Sequence, residues 1–505
     1  MPISTTSPFL KMLRTTVIPS DTESRQIRDI ISRSEIEIKR LEKDIARAQA
    51  MVDELHREQN EIQKSWEVHQ SLLSPARRLP PELLAEIFRY CLPEDQFIKP
   101  APFQAPLLIC QICATWRSVA ISTPQLWSAL QISCRNATGN VAPMVDLWLS
   151  RSANYPLSIS IAESDAIGPA VFDVFIRYSF RWQHIQLYLS RREQGVTVTF
   201  AESEGRVPLL ETFKLHSKRG VSEAQRQRLS AVLMSSQRLR EVSWHNVDYI
   251  SPFMAVPWAQ LTRLTLDTVL SENQCLDILD QCQNLELVSL KHIEFSKPLS
   301  SRSPVLLPKL SSLIIGTSVA IDTFLDYMVL PVLREFELSM SVETTWPQSS
   351  FLSLLDRSQC LLEKMAFHFV PICEEDLLQC LRRTNDTLVE LTIQSDGQSI
   401  ITDALLHLLT YQFFHGENTT CLSPRLEALN LYNCILYSEG TLSSMVQSRL
   451  RTALYQTTFP PKVTCIKVVG VFDGELDMER LKELRDEGLV LKVYSLVTSI
   501  LMAGI

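Results

Sequence analysis

The chain has 505 residues, enough for several domains, and its 45% hydrophobic and 21% charged content is ordinary for a globular chain. A formal net charge of −8 argues against nucleic acid as the main partner, because binding a phosphate backbone calls for a basic surface. No run reaches the ~20 apolar residues of a membrane span, and Met1 to Ser20 has no continuous apolar core of the signal-peptide kind.

Residues 1–22 read as a disordered tail. It has no acid before Asp21 and carries Lys11 and Arg14, which gives it some likeness to a mitochondrial presequence, but a flexible tail is the better reading. The expected location is therefore cytoplasmic and/or nuclear. Residues 23–76 follow as a long helix or coiled coil, with no Gly or Pro from Glu23 to Leu73. An apolar heptad puts Ile31, Ile38, Ile45, Val52, Trp66 and Leu73 at one seam position, interrupted by Gln59. The other seam position holds Ser34, Leu41, Ala48, Leu55, Ile62 and His69. Branched residues at the first site with leucine at the second suit a parallel pair of helices. In such a pair Glu37 would face Glu42 of the other strand. Self-association therefore stays open beside folding back on the body or binding a different helix. Ser74-Pro75 ends the helix.

Residues 77–130 form the next block. Pro80 and Pro81 stand where a first helical turn accepts proline, and Glu82 complements the helix dipole. Leu83 with Ile87, and Leu84 with Phe88, recur at helical spacing. A second helical pattern runs through Leu108, Ile112, Trp116, Val119 and Ala120. The order Leu-Pro-x-Glu-Leu-Leu-x-x-Ile-Phe, then Ile-Cys-x-x-Trp-Arg-x-Val-Ala, then Pro124-x-Leu126-Trp127, resembles an F-box. The resemblance covers about a tenth of the chain. It implies a small all-α module that docks to a Skp-type adaptor and through it to a cullin-RING ubiquitin ligase. On that resemblance the adaptor-binding residues are Leu79, Pro80, Leu83, Leu84, Ile87, Phe88, Ile109, Cys110, Trp116, Arg117 and Val119. The connector from Leu92 to Pro106 is longer than the family's usual link.

Residues 131–505 carry the pattern apolar-x-x-apolar-x-apolar. Leu210-Phe213-Leu215, Leu239-Val242-Trp244, Leu261-Leu264-Leu266 and Leu285-Val288-Leu290 are successive copies. Six more follow, centred on Leu313, Phe336, Met365, Leu391, Leu429 and Ile466, and a weaker one is Trp182-Ile185-Leu187. From Val242 to Phe336 the interval is 22 to 25 residues, lengthening later to as much as 38. Helix-like stretches lie between, among them Ser222 to Met234 and Glu374 to Arg383. A strand-plus-helix unit of this period resembles a leucine-rich repeat. The Asn or Cys expected after the last strand position is met only by Cys434. The fold class expected is thus α/β: a long N-terminal helix, a small all-α F-box module, then a leucine-rich-repeat-like α/β solenoid.

No catalytic constellation is present. With 13 glycines there is no Gly-rich phosphate loop, and neither a Gly-x-Ser-x-Gly elbow nor a His-Glu-x-x-His occurs. The nine histidines are spread along the chain. The 12 cysteines have no disulfide framework, and Cys110-x-x-Cys113 lacks a second ligand pair, so both are expected as small core residues. No enzyme activity, cofactor or metal is expected. What remains is binding. Residues alternating with the core positions of the strands form the candidate target surface: Lys214, Glu241, His245, Arg263, Asp267, Lys291, Glu335, Glu337, Lys364, Glu390 and Tyr432. The expected role is a non-catalytic substrate-recognition subunit, with Skp-type adaptor and protein target as partners. The alternative is a coiled-coil and repeat scaffold for protein assembly without ligase function.

Overall fold

The computed structural model describes residues 9, 12, 18–132, 141–161, 169–189, 205–217, 223–245, 255–294, 302–340, 344–411, 421–455, 465–469, 475–486 and 490–494. The chain divides into two compact units, Met1–Leu84 and Ala85–Ile505, with the boundary inside the helix Pro81–Tyr90.

The first unit is dominated by the helix Asp21–Leu72, 52 residues long. At 1.5 Å per residue it extends about 78 Å. Its start is fixed by a reciprocal cap: the Glu23 N–H donates to Ser20 Oγ at 3.4 Å, and the Ser20 N–H donates to the Glu23 carboxylate at 2.8 Å. That cap places Asp21 and Thr22 in the helix rather than in the expected tail. At the other end Pro75 opens a short 3₁₀ turn, Pro75–Arg78. No residue of the long helix is buried.

The second unit is a mixed α/β body built on a fourteen-stranded sheet whose strand order follows the chain. All its pairings are parallel. A parallel neighbour requires a crossover connection, and helices such as Glu272–Asp280, Gln348–Ser358 and Glu374–Arg383 lie in several of these crossovers. The strands carry the repeated pattern in register. Phe213 lies beside Val242, Val242 beside Leu264, and the column continues through Val288, Leu313, Phe336, Met365, Leu391 and Leu429. Every side chain of that column is buried, as is the column two residues on, from Leu215 to Leu431. Each such burial contributes roughly 1.5–3 kcal/mol.

Helices close the core over these columns. Phe351, on the helix Gln348–Ser358, packs against Phe336 of the sheet with ring centroids 4.9 Å apart. Leu276 and Leu279 on Glu272–Asp280, and Leu377 and Leu381 on Glu374–Arg383, are likewise buried. The intervening strand residues therefore belong to the opposite face of the sheet.

Two further boundaries differ from the sequence reading. The strand Ala129–Ile132 is the first of the sheet and straddles the expected end of the helical module at residue 130. Its two buried residues, Leu130 and Ile132, are too few to signal a strand by pattern alone. Within that module, the helical pattern from Leu108 to Ala120 breaks at Cys113 into Ile109–Ile112 and Ala114–Ile121. Cys113 is exposed and extended there (φ −159°, ψ 171°), where it caps the following helix instead of filling a core. Among the described residues no helix is long and apolar enough to cross a membrane. The last described element is the strand Val490–Tyr494, and residues 495–505 lie outside the described set.

Candidate functional site

Two surfaces hold the sequence-derived candidates. The first begins on the helix Pro81–Tyr90, where Pro80 precedes the first turn and its carbonyl accepts the Leu84 N–H at 3.1 Å. Four-residue spacing sorts its apolar side chains into two faces. Leu84 and Phe88 are buried, whereas Leu83 and Ile87 are 53% and 43% exposed. Pro80 is exposed and Leu79 half-buried.

Within the second unit, Phe88 lies against Trp116 with ring centroids 4.9 Å apart. Ile109, Val119 and Ala120 are buried, while Leu108 and Ile112 are 44% and 55% exposed. The exposed Arg117 donates from Nε to the Cys110 carbonyl at 2.7 Å, tying the two short helices across the break at Cys113. Cys113 Sγ accepts the Trp116 N–H at 3.4 Å. Cys110 is half-buried, and burial pushes its thiol up. The Trp127 indole N–H donates to the Ala120 carbonyl at 2.8 Å, and its ring meets Trp148 edge-on at 4.8 Å. The Pro-rich connector is anchored as well. Ile98 is buried, and its carbonyl accepts the Gln131 N–H at 2.7 Å, fastening the connector to the first strand.

Of the eleven sequence-derived docking residues, then, Leu84, Phe88, Ile109 and Val119 are internal supports. Leu83 and Ile87 are the large apolar residues of that set left open; within the second unit Leu108 and Ile112, which the sequence does not place among the docking residues, are exposed as well. Helical phase could have found the latter two only with knowledge of which face the core takes.

The second surface is the outward face of the sheet. None of Lys214, Glu241, His245, Arg263, Asp267, Lys291, Glu335, Glu337, Lys364, Glu390 and Tyr432 is buried. Parallel register sets many of them side by side. Lys364 Nζ lies 2.9 Å from Glu335 and 4.0 Å from Glu390, and Lys214 Nζ lies 2.8 Å from Glu241. The hydrogen bond that the Lys364 ammonium donates to Glu335 is the main reason its pKa is held above the ordinary range. Asn430 donates to Glu390 at 3.0 Å, and His368 stands 3.7 Å from Glu337.

The same face gathers histidines that the sequence reading took as spread out. Tyr188, His216 and His245 occupy equivalent positions on adjacent strands and stack with centroids 4.3 Å apart in each step. His245 Nδ1 is 3.3 Å from one Asp267 oxygen, and His292 Nε2 is 3.3 Å from the other. Burial, the neighbouring His245 and Lys214 together hold the His216 imidazole down at about 4, so it is neutral at ordinary pH. The signal was present in the repeat: Tyr188, His216, His245, Asp267 and Lys291 each follow the last apolar strand position by one residue.

Arg449 is fully buried and donates to the Leu409 carbonyl at 2.7 Å and the Ser423 carbonyl at 3.1 Å. Among the described residues no three His, Cys, Asp or Glu side chains come together as metal ligands. A cleft of about 780 Å³ runs past Arg240, Trp258, Asn284, Glu286 and Lys309. The chain matches no protein-family model and no curated protein.

Proposed function

We propose that the chain is an F-box protein, a non-catalytic substrate receptor of a cullin-RING ubiquitin ligase. The adaptor-docking element is the F-box-like module, and the sheet with its helices is a leucine-rich-repeat-like solenoid that holds a protein target. The observation that carries this reading is the division of the helix Pro81–Tyr90. Leu84 and Phe88 are buried, while Leu83 and Ile87 are exposed on the same helical backbone. Exposed apolar side chains on a rigid, well-anchored element are what a partner surface requires.

Parallel strands in chain order, repeating at 22 to 25 residues over the central copies, support the solenoid. The mixed-charge outward face supports recognition of a protein rather than a polyanion. In this arrangement the receptor supplies no reacting group. It raises the effective concentration of a target lysine near a ubiquitin-charged enzyme.

Co-purification with a Skp-type adaptor tests the reading. Leu83→Glu together with Ile87→Glu should abolish adaptor capture while leaving the fold intact, since both side chains are already exposed. Full retention of the adaptor by the double variant would sink the ligase role and leave the scaffold alternative.

A further inference from the structure

The long helix Asp21–Leu72 carries an apolar seam that is exposed along its length among the described residues. Ile31, Ile38, Leu41, Ile45, Val52, Leu55, Ile62 and Trp66 are each between 44% and 71% exposed. A heptad seam of this length buries itself only against another helix. The charges beside it decide which kind.

In a coiled coil the two positions flanking the seam face the partner, and their charges choose it. Here those positions carry Glu35 and Glu42 on one side and Glu37, Asp44 and Glu58 on the other. Their remaining occupants between Ile30 and Leu72 are uncharged, apart from the titratable His56. All seven lysines and arginines in that stretch, Arg33, Arg40 and Arg47 among them, fall on the three outward positions. Arg28, which precedes the seam, is the nearest cation at a flanking position.

A second copy is therefore a poor occupant. Paired in parallel, Glu37 meets Glu42 of the other strand; paired antiparallel, acids meet acids or neutral residues. Between Ile30 and Leu72 neither orientation sets a lysine or arginine opposite an acid; the favourable parallel pair, Glu23 with Arg28 of the other strand, lies ahead of the seam. Arg40 reaches Glu37 at 3.3 Å along the same helix, but an exposed pair of this kind contributes at most about 1 kcal/mol and leaves the flank acidic.

We infer that the seam is a docking site for a heterologous helix with an apolar heptad flanked by lysines or arginines. Gln59 and His69 inside the seam would favour polar partners at matching heights and so fix the register. This partner is additional to an adaptor on the F-box-like module and to a target on the sheet.

The test uses the full-length chain and two synthetic helices with the same Ile/Leu seam, one with lysine and one with glutamate at every flanking position. Fluorescence anisotropy should show the lysine helix binding at least about tenfold more tightly, with the difference shrinking in high salt. Replacing Glu35→Lys, Glu37→Lys, Glu42→Lys and Asp44→Lys together should reverse the preference without loss of helix content by circular dichroism. Leu41→Lys with Leu55→Lys should abolish binding of both helices. Equal binding of the two helices, or binding of neither, overturns the inference. So does a dimer of the chain alone in sedimentation that Leu41→Lys with Leu55→Lys dissociates, because the occupant is then a second copy.

Discussion

Phe88 lies against Trp116 with ring centroids 4.9 Å apart and planes tilted by 52°, joining the first helix of the F-box-like module to its last. Phe88 is fully buried. Its truncation removes both its transfer free energy and the support under the indole. Phe88→Ala should cost about 3–5 kcal/mol locally. Hydrogen exchange over Ala114–Ile121 should accelerate by two orders of magnitude or more, roughly the factor that such a loss implies. Ile87→Ala, one residue away and exposed, should leave exchange there nearly unchanged. Equal effects would mean that the two faces of Pro81–Tyr90 are not divided as described.

The repeating strands were legible because burial on one face of a sheet imposes a pattern that a crossover cannot blur. Phe213, Val242 and Leu264 sit in adjacent register as their spacing implied. The short helix Asp322–Asp326 was not legible, since five residues give too little period. On the module, four-residue helical spacing identifies Leu83, Leu84, Ile87 and Phe88 together but does not say which pair faces water. That depends on tertiary neighbours such as Trp116. Cys113 was misread for a related reason. A small residue in an apolar stretch reads as core, and only the extended backbone there makes it a cap.

The imidazole stack makes stability depend on pH. His216 has its pKa lowered in the folded chain from the ordinary 6.5 to about 4. The unfolded chain thus binds a proton more readily between those values, so stability rises with pH across the window. The contribution is complete above 6.5 and is lost as pH falls toward about 4. Thermal unfolding monitored from pH 7 down to about pH 4 should show His216→Gln flattening part of the decline. An unchanged pH slope in that variant would show that other groups carry it.

Lys364 is flanked in register by Glu335 and Glu390 on the outward face. All three are substantially exposed, so their mutual attraction adds little to folding. Lys364→Glu should change the unfolding free energy by only about 0.5–1 kcal/mol, through repulsion of three adjacent carboxylates. If this face holds a target, the same change should weaken capture of that target far more than it weakens the fold. Comparison of denaturation with pull-down from the same preparation separates the two effects.

Ten of the cysteines are free thiols, yet they differ sharply in accessibility. Burial raises the thiols of Cys275, Cys282, Cys380 and Cys434 to about 12, which leaves them protonated and enclosed. Cys91, Cys113 and Cys373 are exposed. Iodoacetamide applied to the native chain near pH 8 should therefore modify the exposed three first, because the thiolate is the nucleophile. Cys113 and Cys373 also serve as helix caps, each sulfur accepting a backbone N–H at 3.4 Å. A hydroxyl accepts that bond better than a thiol. Cys113→Ser should accordingly stabilise Ala114–Ile121 by a few tenths of a kcal/mol, up to about 1. Peptide mass mapping after brief alkylation checks the order of labelling, and slower exchange over Ala114–Ile121 in Cys113→Ser checks the cap. Early labelling of Cys275 or Cys434 would show that the sheet core opens far more readily than its buried columns imply.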